Sequence, residues 1–183
     1  MIVHEFPKAF LFLVDYNVDH KACWWKKILK VQNYIDPIGL ILMLVCYAGF
    51  SKPFMFHVRD RKKNLCMGIL GFFTLFLIFF LSVAVLKYQY GLERLGVTQE
   101  GYYAISCQLF WIYTTVFSGT MILVNLFPVS VFDMGLLVAG SSARNYLRML
   151  SRDTYVKIIM MLCIVVGMLR SIVFYLIELL LTA

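Results

Sequence analysis

A chain of 183 residues with 62% hydrophobic residues and a net charge of +7 exceeds the ~45–50% apolar content of a soluble domain. That composition excludes a soluble globular fold and leaves an all-α, polytopic membrane helix bundle built as one membrane domain. The positive charge lies in clusters between the apolar runs, which reads as topology and contact with the lipid bilayer, not as nucleic-acid binding. No cleavable signal is expected, because His4, Glu5 and Lys8 stand where a signal has a basic start and a clean apolar core. The five cysteines form no Cys-x-x-Cys motif.

Residues 1–14 are apolar with His4, Glu5 and Lys8 embedded. As a helix this stretch spans roughly two-thirds of a bilayer. His4 and Lys8 are four apart and share a helical face. A His-Glu-x-x-His helix uses that spacing to hold zinc, with Glu as general base. Here the second histidine position is Lys8, whose ammonium has no lone pair for a metal. If Pro7 opens the helix, His4 and Glu5 fall outside it and the shared face is lost.

The polar stretch 15–34 carries Trp24 and Trp25 beside Lys26, Lys27 and Lys30. It reads either as an interfacial anchor or as a solvated basic loop. Asp36-Pro37 then suits a helix start, and residues 35–50 are too short to span, so they form a tilted or re-entrant segment. Residues 51–64 hold the strongest basic cluster, and residues 65–86 read as a transmembrane helix.

Residues 103–127 are the next helix, ending in Asn125-Leu-Phe-Pro128. Pro128 breaks the helix, and residues 129–140 carry Asp133 in apolar sequence. A carboxylate at membrane depth is a functional-site candidate; the plainer alternative is that Asp133 caps the next helix. In residues 141–155, Arg144, Arg148 and Arg152 recur every four residues, the pattern of a surface-lying amphipathic helix. Residues 156–181 form the last helix, with Arg170 near its middle, where it calls for Asp133 or Glu5 as partner, or for snorkelling.

The positive-inside rule places 51–64 and 141–155 on the cytoplasmic side. The basic 15–34 loop conflicts with a spanning 35–50 segment and agrees with a re-entrant one. The bundle therefore has four to five membrane segments.

Several motifs, in order along the chain, resemble those of the site-2 protease family of intramembrane zinc metalloproteases, in its compact bacterial branch. His4-Glu5 resembles the first half of the family's His-Glu-x-x-His. Ile35-Asp-Pro-Ile-Gly39 resembles its Ile-Asp-Pro-x-Gly, and Phe50-Ser-Lys-Pro53 its Trp-Ala-Lys-Pro. Asn125-Leu-Phe-Pro128 with Phe132-Asp-Met-Gly135 resembles its Asn-x-x-Pro and Leu-Asp-Gly-Gly.

The resemblance implies a site-2-protease-like core in which His4 and Asp133 are zinc ligands and Glu5 is the general base, with Asn125 and Pro128 shaping the site. It also implies the cytoplasmic membrane of a bacterium and a transmembrane protein as partner or substrate. The sequence departs from the family at the active site. Lys8 replaces the second histidine, Met134 replaces the first glycine of Asp-Gly-Gly, and only Gly71 remains of Ala-Gly-Pro-x-x-Asn. The departures point to a pseudoprotease that binds a membrane helix without cutting it, with Lys8 pairing Glu5 and Asp133. Two alternatives stand beside it. One is an active zinc enzyme completed by His20, His57, a second chain or a deprotonated Lys8. The other is an unrelated small membrane subunit or transporter component.

Overall fold

Helix α1 (Ile2–Asp15) turns its polar side inward. His4, Glu5, Lys8 and Ala9 are buried, while Val3 is 64% exposed and Ile2, Phe6 and Phe10 also face outward. The helical period gathers those four buried positions onto one broad face. Such a helix suits hydrocarbon around the molecule, where apolar groups face out and ionisable groups face the bundle interior. Pro7 lies inside α1, not at its start. The shared face of His4 and Lys8 is therefore kept.

The computed structural model describes residues 1–15, 28–52, 60–91 and 101–182. Trp24, Trp25, Lys26, Lys27, His20, His57 and Pro53 lie outside the described residues, and with them the expected interfacial anchor and two of the alternative ligands. All regular elements among the described residues are helices, apart from one isolated β-bridge.

Helix α2 (Pro37–Cys46) starts where Asp36-Pro37 predicts. Asp36 Oδ1 accepts from the Ile38 and Gly39 amides at 2.9 and 3.1 Å. Tyr47, at φ 59°, ends the helix in the left-handed region. The chain then doubles back: Ile35 and Ser51 form an antiparallel bridge, and the Lys52 amide donates to the Tyr34 carbonyl at 3.1 Å. The two ends of this segment therefore meet. The return leg lies directly on α2. A Cβ on Gly39 would overlap the Phe50 carbonyl, and one on Gly49 would overlap the Gly39 carbonyl.

Helix α3 (Arg61–Tyr90) has 30 residues and α4 (Tyr102–Leu126) has 25. At ~1.5 Å per residue both exceed a ~30 Å hydrocarbon core. They pack against each other, and α5 (Asp133–Ser141) lies along α3. Gly68, Gly71 and Gly140 face the α3–α5 contact, with Leu137, Asp133 and the Leu65 backbone as their respective neighbours. Small residues let helix backbones approach closely in a membrane, where packing replaces the hydrophobic effect between helices.

Helix α6 (Ala143–Ser151) buries none of its residues and exposes Leu147 and Leu150. Arg152 falls in the break after it. The expected single helix over 156–181 is two: α7 (Asp153–Val165) and α8 (Met168–Thr182), bent by 61°. Gly167, at φ 78°, sits in the break, a conformation a side chain disfavours.

Two apolar clusters hold the bundle. Leu75, Phe79, Val83 and Leu86 of α3 meet Val116, Met121 and Ile122 of α4 and Val173, Ile177 and Leu181 of α8. Val124, Val129, Phe132, Met160, Ile164 and Leu169 form the second, with Ala48 from the return leg. Two helices are long and apolar enough to cross a membrane, and a third if α7 and α8 count as one span. The described residues form the all-helical fold of a membrane protein.

Candidate functional site

The site begins where α4 stops. Beyond Leu126 the chain turns through the exposed Pro128, and the Phe132 amide bonds the Val129 carbonyl at 3.1 Å. Asn125 is buried; its Nδ2 donates to the Met121 carbonyl at 2.9 Å, and its Oδ1 accepts a long bond from the Asp133 amide at 3.5 Å. Asp133 is the first residue of α5, and Phe132 occupies the cap position without a side-chain bond. The capping alternative for Asp133 therefore fails. Its carboxylate turns inward, away from the α5 amides, and meets α1.

There it joins a closed polar cluster. The Lys8 ammonium lies 2.8 Å from Glu5 Oε1 and 2.8 Å from Asp133 Oδ1. His4 Nε2 and Asp133 Oδ2 share a hydrogen bond at 2.6 Å. Ser51, on the return leg beside α2, donates to Glu5 Oε1 at 2.7 Å. His4 Nδ1 faces Ser51 Oγ at 3.3 Å and Glu5 Oε1 at 3.1 Å. Glu5 and Lys8 are each 2% exposed and Asp133 is 0% exposed. Glu5 Oε2 is buried without a hydrogen-bond partner among the described residues. Beside the cluster, outside the spanning helices, Tyr34 Oη donates to the Ile28 carbonyl at 2.6 Å. Burial first, and the Glu5 carboxylate second, hold that phenol above its ordinary range.

This arrangement does not fit a zinc ion. Tetrahedral zinc with nitrogen and oxygen ligands at ~2.0–2.2 Å holds those atoms about 3.3 Å apart. His4 Nε2 and Asp133 Oδ2 stand at 2.6 Å, the separation of a hydrogen bond. The other Asp133 oxygen, Oδ1, is held at 2.8 Å by the Lys8 ammonium, which has three donors and no lone pair. Among the described residues no set of three or more His, Cys, Asp or Glu groups is arranged to hold a metal ion. What the cluster can do chemically is hold two buried carboxylates with the Lys8 ammonium and with hydrogen bonds from His4 and Ser51.

The structure thus brings His4, Glu5, Lys8, Asn125 and Asp133 together from three helices. It does not bring Arg170. Arg170 is exposed on α8, and its guanidinium lies 5.4 Å from the centre of the Tyr47 ring instead of beside Asp133 or Glu5. Ser51 was not legible as a site residue. Its one signal is a hydroxyl where the resembled Trp-Ala-Lys-Pro loop has alanine. With Ser51→Ala, Glu5 Oε1 loses a charge-assisted bond, and thermal or denaturant unfolding should show a loss of about 1.5–3 kcal/mol.

Gly71 of α3 faces Asp133 so closely that a Cβ there would overlap the carboxylate. Gly71→Val should displace Asp133 from Lys8 and cost about 1–3 kcal/mol as overpacking. An unchanged unfolding midpoint in Gly71→Val would contradict the close α3–α5 contact.

Ser51 also opens onto a cleft of about 210 Å³. Phe50, Val129, Phe132 and Met160 line it, with Asp36 and Lys157 among its polar lining residues. Lys157 is held by Asp153 at 2.6 Å. Asp153 Oδ1 in turn accepts from the Ser130 amide at 2.7 Å, fixing the turn that carries Asp133. Comparison with family models, with curated proteins and with solved structures finds no match to this chain.

Proposed function

We infer that this protein is a site-2-protease-like membrane protein that has given up zinc hydrolysis and binds a transmembrane partner or substrate helix. The observation that carries this reading is the Lys8 ammonium, 2.8 Å from both Glu5 and Asp133, in the place where the resembled motif has its second histidine. The cleft beside Ser51, apolar with a polar edge, suits a segment of an apolar partner chain. In this reading α1 and the re-entrant segment join the longer helices as membrane segments, giving four to five in all. The basic stretches face the cytoplasm of a bacterial cell.

One observation favours the active alternative. Glu5 Oε2, the oxygen a general base would turn toward water, is buried without a partner among the described residues. That enzyme would draw its missing ligand from His20 or His57, outside the described residues, from a second chain, or from a deprotonated Lys8. The test is cleavage of a membrane-tethered reporter in cells expressing the full chain or its Glu5→Gln variant. The pseudoprotease reading expects equal background in both. Product that depends on Glu5 would sink it.

A further inference from the structure

Helix α6 (Ala143–Ser151) carries an inference that needs only the membrane and not the reading of the buried cluster. Its level is fixed by α3, which is long and apolar enough to cross a membrane. The polar start of α3, Arg61-Lys62-Lys63-Asn64, gives way at Leu65 to an uncharged run through Leu86. A spanning helix keeps such a charged first turn among the headgroups and its apolar run in hydrocarbon. Gly140, near the end of α5, lies against this boundary. A Cβ there would stand 2.7 Å from the Leu65 amide nitrogen and 2.8 Å from the Arg61 carbonyl. Ser141 and Ser142 alone separate Gly140 from α6, so α6 starts at the headgroup boundary. Its other end is tied as well: Asp153, two residues past it, accepts from the Ser130 amide at 2.7 Å.

Three sides of α6 meet three surroundings. At about 100° per residue, Ala143, Leu147 and Leu150 fall within an arc of about 60°. Leu147 is 65% exposed and Leu150 48% exposed, so the protein leaves this arc open. Tyr146 and Met149, on one flank of the arc, are half-buried and mark the side toward the bundle. Arg144 and Arg148, on the other flank, are exposed, as is Arg152 just past the helix end. A helix of this pattern at headgroup level has acyl chains against its leucines and phosphates beside its arginines. Residues 60–63 and 143–152 together hold six basic residues and one acid, Asp60. Asp60 Oδ1 is engaged by the Lys62 amide at 3.0 Å. An acidic soluble protein would meet the arginines from the water side and leave Leu147 and Leu150 uncovered. An anionic phospholipid meets both.

We propose that α6 and the first turn of α3 form a binding surface selective for anionic phospholipids. Arg144 and Arg148 hold the headgroup phosphate, Leu147 and Leu150 lie on the acyl chains, and Arg61 and Lys62 add to the attraction from the neighbouring helix. The selectivity is one of charge, about fivefold for each basic residue near the membrane surface.

The test uses the full-length protein in mixed vesicles of phosphatidylglycerol and phosphatidylcholine. A photoreactive analogue of one lipid or the other is included, and the captured lipid is mapped along the chain by mass spectrometry. Residues 143–152 are expected to capture phosphatidylglycerol about fivefold or more over phosphatidylcholine, the contribution of one arginine. The excess should disappear in Arg144→Gln with Arg148→Gln and persist in Arg144→Lys with Arg148→Lys. It should fall in Arg61→Gln with Lys62→Gln, and in about 1 M salt, where the screening length is about 3 Å. Lys87→Gln, at the far end of α3, should leave it unchanged. Equal capture of the two lipids by residues 143–152 of the unaltered protein overturns the proposal, whether or not a variant folds. So does an excess that survives Arg144→Gln with Arg148→Gln. Capture of neither lipid overturns it in favour of a soluble acidic partner. Displacement of the lipid by soluble glycerol phosphate, beyond that by chloride at equal ionic strength, overturns it in favour of a free-phosphate site.

Discussion

Lys8→Ala is expected to destabilise the folded protein by about 3–5 kcal/mol, the cost of breaking a buried ion pair from one side. The physical reason is an unequal charge count. Glu5 and Asp133 are buried against one ammonium and one imidazole, and Lys8 bonds each carboxylate at 2.8 Å. Without Lys8, two carboxylates face each other in a low-dielectric interior with His4 and Ser51 alone to hold them. Like charges there disfavour joint ionisation. The loss should be read by equilibrium unfolding in detergent. A variant that neutralises the whole cluster, Lys8→Met with Glu5→Gln and Asp133→Asn, should recover most of the stability, because a buried pair contributes little net energy over uncharged residues of similar volume. A Lys8→Ala protein as stable as the original would mean the carboxylates are neutralised by groups other than Lys8.

Lys8→His should create a zinc site from groups on α1 and α5. His4 and a histidine at position 8 would stand four apart on the inward face of α1, and Asp133 arrives from α5. That gives two imidazoles and a carboxylate, the ligand set of a catalytic zinc with one open position. The His4–Asp133 contact would relax from its hydrogen bond at 2.6 Å to the ~3.3 Å separation of two zinc ligands. Zinc at about a hundred times its dissociation constant should then stabilise Lys8→His by about 2.7 kcal/mol, read as a rise in unfolding temperature. Adding Asp133→Ala should abolish the rise. No zinc response in Lys8→His would show that the backbone positions do not form a metal cradle.

Much of the bundle was legible in the sequence. Long apolar runs placed α3 and α4 within a few residues of their ends, and Asp36-Pro37 placed the start of α2. The order of motifs, together with the helical spacing of His4 and Lys8, put His4, Glu5, Lys8 and Asp133 forward as one site, and the structure gathers them within hydrogen-bond reach.

What was not legible depends on contacts between distant segments. The break at Gly167 lies in an unbroken apolar run, where periodicity carries no sign of a 61° bend. Pro7 reads locally as a helix start, yet α1 continues through it because the polar face on either side is tied to Asp133 and Ser51. Ser51 looks like an ordinary loop hydroxyl until the chain after α2 folds back and brings it to Glu5. Arg170 invites pairing with a buried acid on charge alone, but the bend directs it onto Tyr47.

On the proposed reading, the Lys8 ammonium bridges Glu5 and Asp133 in place of a metal. Elemental analysis of the detergent-purified wild-type protein, with Asp133→Ala beside it, decides between ammonium and metal. The expected result is no stoichiometric zinc in either protein. About one zinc per chain in the wild type, lost in Asp133→Ala, would contradict it.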